Sequence, residues 1–199
     1  LKLFREYLDI QKQHLDMPGV QLQLGIFYSG RGDLPSAEAA YREAIYLNPQ
    51  LIPALLNLAD LLRSQSRDEE ARDILHTALK AAPEHGATLH ALGLLETRTE
   101  NSTLALDYLR RAAAQESSGT RHRFVYAIAL HDLGKPQLAI SELGSLLRAA
   151  PQSQEVLLAL ANYNSELGEL EKARSFAKRL TELVPKNPDY RELLNQLSK

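Results

Sequence analysis

The pattern of small, apolar and polar positions along this chain repeats every 34 residues. One series of small residues is Gly25, Ala59, Gly93, Ala127 and Ala161. A second series is Ala37, Ala71, Ala105, Ala139 and Ala173. Prolines follow the same spacing at Pro49, Pro83, Pro151 and Pro185, with Ser117 in the remaining place. A period of this length is typical of stacked helical hairpins, because small residues let helix backbones approach and prolines end helices.

Each period predicts two helices of about 14 residues joined by a short turn, and no strands. In the first period the turn contains Gly30 and Gly32 and is followed by Pro35. Glycine permits a left-handed backbone after a helix, and proline suits the first turn of the next one. The second and third turns, 64–67 and 99–102, contain no glycine, so we expect them to be less sharply defined. Asn101, Ser102 and Thr103 lie where the second helix of the third period should start, and we expect side chains of this stretch to cap it.

The residues that carry this pattern resemble the tetratricopeptide repeat (TPR) family. The best unit, residues 18–51, contains Leu24, Gly25, Tyr28, Gly32, Asp33, Ala37, Tyr41, Ala44 and Pro49. The resemblance implies an all-α, right-handed α–α superhelix, or solenoid, of about five helical hairpins with flanking helices. The implied repeats are 18–51, 52–85, 86–119, 120–153 and 154–187.

The two ends of the chain differ from these repeats. Leu3, Tyr7 and Ile10 lie 34 residues before three packing positions of the first repeat, so residues 1–17 predict the second helix of a half repeat. An unrelated linker helix is the alternative. Residues 188–199 predict a single capping helix with a polar outer face, because the last repeat of a solenoid otherwise exposes its apolar side.

Composition excludes several classes of function. The net charge of −2 and pI near 6.3 create no positive field that would attract nucleic acid or an anionic membrane. There is no apolar run long enough to insert into a membrane. The chain has no cysteine, and its six histidines do not pair at helical spacing, so we expect neither a metal nor a cofactor. No nucleophile–base pairing or glycine-rich phosphate loop stands out, which argues against an enzyme.

In a TPR-like superhelix the first helix of each repeat lines a concave groove, and projecting its exposed positions onto this chain predicts a binding site for a protein or peptide. The apolar members are Leu22, Ile26, Leu56, Leu94, Phe124, Ile128 and Leu158. The polar members are Asn57, Asp60, Arg63, His90, Arg98, Arg121, His131 and Asn162. Phe124 is the expected anchor, with Arg98 and Arg121 orienting acidic or carbonyl groups beside it. Superhelical winding could instead bury much of the apolar stripe.

The resemblance therefore implies a non-catalytic scaffold that docks a peptide segment or a neighbouring domain, and two alternatives remain. The chain could be an accessory domain of an upstream enzyme or redox domain, or it could form a homodimer. Three stretches, 57–61, 90–95 and 126–130, resemble TPR tails of bacterial proteins, some of which follow a multihaem cytochrome region. This resemblance favours a periplasmic location over the cytoplasm. The chain begins with Leu1 inside the repeat pattern, so we expect it to be part of a longer protein.

The junction of the third and fourth repeats is predicted to be the weakest in the array. Ser117 replaces the terminating proline, and residues 116–120 are polar and rich in small residues. Glu96 also occupies a position that is filled by tyrosine or leucine in other repeats, which predicts a thinner core beside it.

Overall fold

A computed structural model describes residues 17–115 and 119–198, and within them the chain is helical with no strand. The first six helices are α1 (Pro18–Gly30), α2 (Leu34–Leu47), α3 (Ile52–Ser64), α4 (Asp68–Ala81), α5 (Gly86–Arg98) and α6 (Ser102–Ala113). The other five are α7 (Gly119–Asp132), α8 (Pro136–Ala149), α9 (Gln154–Glu166), α10 (Leu170–Leu183) and α11 (Pro188–Gln196). We call α1, α3, α5, α7 and α9 the A helices, and α2, α4, α6, α8 and α10 the B helices. The predicted N-terminal half repeat, apart from Met17, lies outside the described residues.

The chain divides into two compact units, residues 1–99 and 100–199. In the first unit, α1 pairs with α2 and α3 pairs with α4, while each B helix also packs against the A helix that follows it. In the second unit, α7 pairs with α8 and α9 with α10, and α11 packs against α10. The predicted all-α class built of helical hairpins is confirmed.

The small residues of the 34-residue period lie where helices touch. Ala37, Ala71, Ala105, Ala139 and Ala173 are all fully buried. At Gly25 a side chain would collide with the ring of Tyr41 on the partner helix of the hairpin. A larger residue at these positions would have to push helices apart, which is costly in a close-packed interior.

All five turns between A and B helices contain one residue in the left-handed region, at the same place in the repeat. The φ angles are 77° at Gly32, 60° at Ser66, 63° at Glu100, 73° at Gly134 and 76° at Gly168. The expectation that the turns without glycine are less defined is therefore wrong. The second turn, without glycine, makes the same hydrogen bond as the first. The N–H of Arg67 donates to the carbonyl of Leu62 at 3.0 Å, and the N–H of Asp33 donates to the carbonyl of Tyr28 at 3.0 Å. The hydrogen bonds at the helix end therefore hold the backbone in the left-handed region, even where the residue is not glycine.

Two turns differ in how they start the next helix. The side chain of Asp33 accepts a hydrogen bond from the N–H of Ser36 at 3.2 Å and so caps α2. Asn101 occupies the equivalent capping position of α6, but its side chain makes no capping hydrogen bond. Asn101 therefore stands at the N-cap position of α6, but its side chain does not cap the helix.

Glu96 does not leave a thin core, and the prediction at this residue is wrong. Its side chain is 1% exposed, and Nε of Arg72 on α4 donates to its carboxylate at 2.8 Å. Nη2 of Arg72 also donates to Oγ1 of Thr99 at 3.1 Å. A buried carboxylate is tolerated when it is paired and hydrogen-bonded, so an ion pair replaces the apolar contact between α4 and α5.

Candidate protein-interaction surface

Helices α1, α3 and α5 of the first unit, and α7 and α9 of the second, carry the predicted groove residues. Of the seven apolar ones, only Ile26 is exposed, at 44%. The other six, Leu22, Leu56, Leu94, Phe124, Ile128 and Leu158, are half-buried. In the second unit Phe124, Ile128 and Leu158 pack against the core. Most of the apolar positions are therefore only partly accessible to a partner.

Two arginines predicted to flank the groove in the first unit are engaged within the protein. Arg98 forms an ion pair with Asp68, the first residue of α4. Arg63 lies 3.5 Å from the carboxylate of Asp60 on the same helix. The proposed role of Arg98 in orienting a partner needs a free guanidinium, and this ion pair argues against it. Of the other polar residues predicted in this unit, Asn57 and His90 are half-buried.

His131 is held by residues that the sequence prediction missed. Its ring stacks on Tyr163 of α9 with centroids 3.6 Å apart and planes 2° from parallel. Its Nε2 lies at hydrogen-bonding distance, 2.7 Å, from Oε2 of Glu166. Burial raises the pKa of Tyr163 to about 12, so its hydroxyl stays neutral. Glu166 lies one repeat and one residue after His131, so the repeat puts both residues at the end of an A helix but does not by itself predict that they pair. These contacts join the C-terminal ends of α7 and α9.

A cleft opens between the first turns of α7 and α9, and we call it the Phe124 cleft. It has a volume of about 370 Å³. Its lining residues are Thr120, Arg121, Phe124, Val125, Ser153, Glu155 and Val156. Val156 is 3% exposed, and with Phe124 and Val125 it makes the apolar part of the cleft. Arg121 and Glu155 are exposed charges of opposite sign that line it. Two predicted site residues, Phe124 and Arg121, thus meet in one cavity.

A second cleft, the Tyr190 cleft, adjoins the first and shares Ser153 and Glu155 with it. It has a volume of about 440 Å³ and is lined by Ser153, Gln154, Glu155, Leu158 and Tyr190. The Tyr190 hydroxyl donates to Oε1 of Gln154 at 3.2 Å, which connects α11 to α9. Leu158 was predicted as a site residue. Tyr190 was missed, because α11 was interpreted from the sequence only as a cap.

Asn162, the last predicted site residue, lies in a different cleft at the C-terminal end of the second unit. This cleft of about 550 Å³ is lined by Asn162, Ser165, Glu166, Leu170, Arg174, Leu193, Gln196, Leu197 and Ser198. Two guanidinium nitrogens of Arg174 donate to the carbonyl of Leu197 at 2.8 and 3.2 Å. Arg174 therefore fixes the end of α11 and contributes its charge to the wall of the cleft.

Within residues 17–115 and 119–198, no three His, Asp or Glu side chains cluster in a way that could hold a metal ion. None of the helices in these ranges has the length and apolar character needed to cross a membrane.

Solved structures with similar folds are themselves helical repeat proteins. YrrB, described as a TPR protein with an unusual peptide-binding site, has a TM-score of 0.71 at 20% identity, over 96% of this chain and 97% of YrrB. PilF of Pseudomonas aeruginosa has a TM-score of 0.75 at 20% identity, over 91% of this chain and 82% of PilF. At this identity the likeness shows the fold alone.

Comparison of sequences leads to the family. The protein CTR9 homolog of Arabidopsis thaliana is 26% identical to this chain over an alignment of 236 residues, gaps included, and the alignment covers 92% of this chain. The chain spans only 21% of the length of that relative. Two sequence profiles described as tetratricopeptide repeat match this chain, one at residues 2–93 and 130–197 and the other at residues 90–153. With most of its length matched and its helices paired as hairpins, the chain belongs to the tetratricopeptide repeat family.

Proposed function

We propose that this chain is a non-catalytic scaffold that binds a peptide segment, or a neighbouring domain, on the surface of its A helices. The TPR fold is in general a protein–protein interaction scaffold, which supports the class of function. YrrB is described as having a peptide-binding site, which supports a peptide as the occupant. Fold alone does not define a site, so the proposal depends on the surface itself.

The observation that carries the proposal is the Phe124 cleft. Phe124 is half-buried against the core, so its ring is held in place while part of it faces the cleft. Aromatic residues fixed in a concave, partly dry site often contribute most to protein binding. Arg121 and Glu155 then provide a charged rim around an apolar centre, which is the usual anatomy of an interface.

The test is affinity capture of partners with the wild-type chain and with Phe124→Ala. We expect a specific partner to lose affinity by about 2 kcal/mol, or roughly 30-fold, because truncation removes the anchor. Leu138→Ala is the control, since Leu138 is 56% exposed on the B helix α8, away from the cleft.

Phe124 also packs against the core, so a second variant separates binding from folding. Thr120→Trp places a bulky ring on an exposed rim position of the cleft without removing any core contact. If the partner binds both variants as tightly as the wild type, the Phe124 cleft is not the site.

Two finer alternatives remain within this proposal. The chain matches only about a fifth of its curated relative, which supports an accessory role beside other domains of a longer protein. Homodimer formation is supported by Phe27, which is 55% exposed on α1. Sedimentation at high concentration separates the two, because a chain that stays monomeric excludes the homodimer.

A bacterial origin and a location outside the cytoplasm also remain proposals, supported by the resemblance to bacterial TPR tails. Fractionation of cells that express the full-length protein tests the location, and recovery in the cytoplasm would contradict it.

A further inference from the structure

We propose that the Phe124 cleft recognises a peptide in which an acidic and a basic side chain flank a central large apolar one. The acidic residue would face Arg121, and the basic residue would face Glu155. This inference rests on the proposed function and names the chemistry of the partner at the same site.

The charges on the rim of the cleft are the first support. Arg121 and Glu155 line the same cleft, and neither forms an ion pair with any residue in the described part of the chain. Nearby charges behave differently: Arg123 on α7 lies 3.4 Å from the carboxylate of Glu142 on α8. Within the described residues both charges are thus left without an ion-pair partner, and their opposite signs favour a peptide that carries both charges.

The apolar part of the cleft is the second support. Phe124, Val125 and Val156 line the same cleft as the two charges, and Val156 is already part of the core. The volume of about 370 Å³ is near the lower end of the roughly 300–1,000 Å³ typical of ligand clefts. A cleft of this size has room for one large apolar side chain, such as leucine or phenylalanine.

The adjoining Tyr190 cleft shows where the chain of such a peptide would continue. The two clefts share Ser153 and Glu155, so a peptide leaving the Phe124 cleft on the Glu155 side enters the Tyr190 cleft. There Leu158 and Tyr190 offer further apolar contact. The asymmetry of the two rims gives the bound peptide a direction, because the acidic end would lie away from Tyr190.

The experiment measures binding of fluorescein-labelled peptides by fluorescence polarisation. The probe peptides contain a glutamate, a central leucine and a lysine separated by single alanines, in both orders along the chain. Comparison peptides replace both charges with glutamine, make both charges acidic, make both basic, or replace the leucine with alanine. We expect one order to bind about tenfold more tightly than the glutamine peptide, since two rim charges are satisfied. Replacing the leucine should abolish binding.

Charge reversal in the protein provides the decisive comparison. Arg121→Glu or Glu155→Lys alone should weaken the preferred peptide by about tenfold, because a like charge then faces the peptide. The double variant Arg121→Glu/Glu155→Lys should prefer the reversed order. The matched control is Lys178→Glu/Glu182→Lys on α10, where both residues are exposed and distant in sequence from the cleft. This control should leave the order preference unchanged.

The outcomes distinguish this inference from the proposed function. Three outcomes would overturn the inference that the peptide carries both an acidic and a basic side chain. They are equal binding of all charged and neutral peptides, no binding of any peptide, and an order preference that survives the double charge reversal. If captured partners still lose affinity in the Phe124→Ala variant in that case, the proposed docking function stands, and only the charge pattern of the peptide is wrong. If neither peptides nor captured partners depend on the cleft, both proposals fail.

Discussion

At the scale of single residues, the turn between A and B helices shows how a position can demand a backbone that its residue does not favour. Ser66 and Glu100 have φ angles of 60° and 63°, in the region that Gly32, Gly134 and Gly168 occupy freely. A side chain in this region crowds the following carbonyl, which costs roughly 1–2 kcal/mol. The array accepts this cost at two of its five turns because the surrounding hydrogen bonds and helix packing determine the backbone.

Replacing Ser66 with glycine should therefore stabilise the protein. We expect Ser66→Gly to raise the free energy of unfolding by about 0.5–1 kcal/mol, the strain relief less the greater entropy of glycine in the unfolded chain. Gly32→Ser should lower it by a similar amount. Denaturant titration followed by circular dichroism measures both. Gly19→Ser is the control, because Gly19 does not adopt a positive φ and a Cβ there would meet nothing within 4 Å. A Ser66→Gly protein no more stable than the wild type would contradict the argument.

At the scale of elements, α1 has one face that its counterparts bury. Phe27 is 55% exposed, whereas the residues at the same place in the later A helices, Leu61, Leu95, Ala129 and Tyr163, are 5%, 0%, 6% and 8% exposed. Each of those A helices packs against a preceding B helix, and α1 has none within residues 17–115 and 119–198. The sequence assigns this role to residues 1–17, in which Leu3, Tyr7 and Ile10 occupy B-helix packing positions. That assignment stays a prediction.

A tryptophan at position 27 tests whether the N-terminal segment covers this face. The chain has no tryptophan, so Phe27→Trp provides a single reporter. We expect its emission to be blue-shifted in the complete chain and to shift to the red when Tyr7→Asp is added, because a charge should not pack against an apolar face.

Leu8→Asp is the matched control, since Leu8 lies 34 residues before the exposed Arg42 and should not face α1. A red-shifted emission in the complete chain would contradict the half repeat. A blue shift that appears only at high protein concentration would instead show that a second copy of the chain covers this face of α1.

At the scale of the whole molecule, the stability of a repeat array is close to a sum over repeats and their interfaces, so the array opens where an interface is weakest. The described links between repeats contain Pro49, Pro83, Pro151 or Pro185, which restrict the chain before the next helix. The link at 116–120 has no proline and contains Ser117, Ser118 and Gly119. Residues 116–118 of that link lie outside the described part of the chain, so its weakness stays a prediction.

Hydrogen exchange measured by mass spectrometry tests this prediction directly. We expect the amides of 116–120 to exchange faster than those of the links at 48–51, 82–85, 150–153 and 184–187, because opening there breaks fewer restraints. Ser117→Pro should slow exchange in this link and leave the others unchanged. Similar protection at all the links would show that the substitution of proline by serine has no effect on local opening.

The 34-residue spacing of small residues and prolines was enough to predict the helices and their pairing, because a close helix crossing admits only a small side chain at the crossing point. The family followed from the same residues. The predicted binding site stays a prediction, because the sequence shows which face a residue belongs to but not how deeply that face is buried. Phe124 and Arg121 meet in one cleft, as predicted, while Tyr190 joins the adjoining cleft from an element that local pattern marked only as a cap.

What the tertiary structure alone decided are the contacts between side chains on different helices. Glu96 with Arg72, Arg98 with Asp68 and His131 with Tyr163 each join residues that are 24 to 32 positions apart. Whether such residues pair depends on helix positions and side-chain orientations to within an ångström or so, and the repeat pattern does not encode them at that precision. The sequence by itself therefore determined the repeating framework of this protein. Packing between the helices determined which of its charges are paired with one another in the described part of the chain.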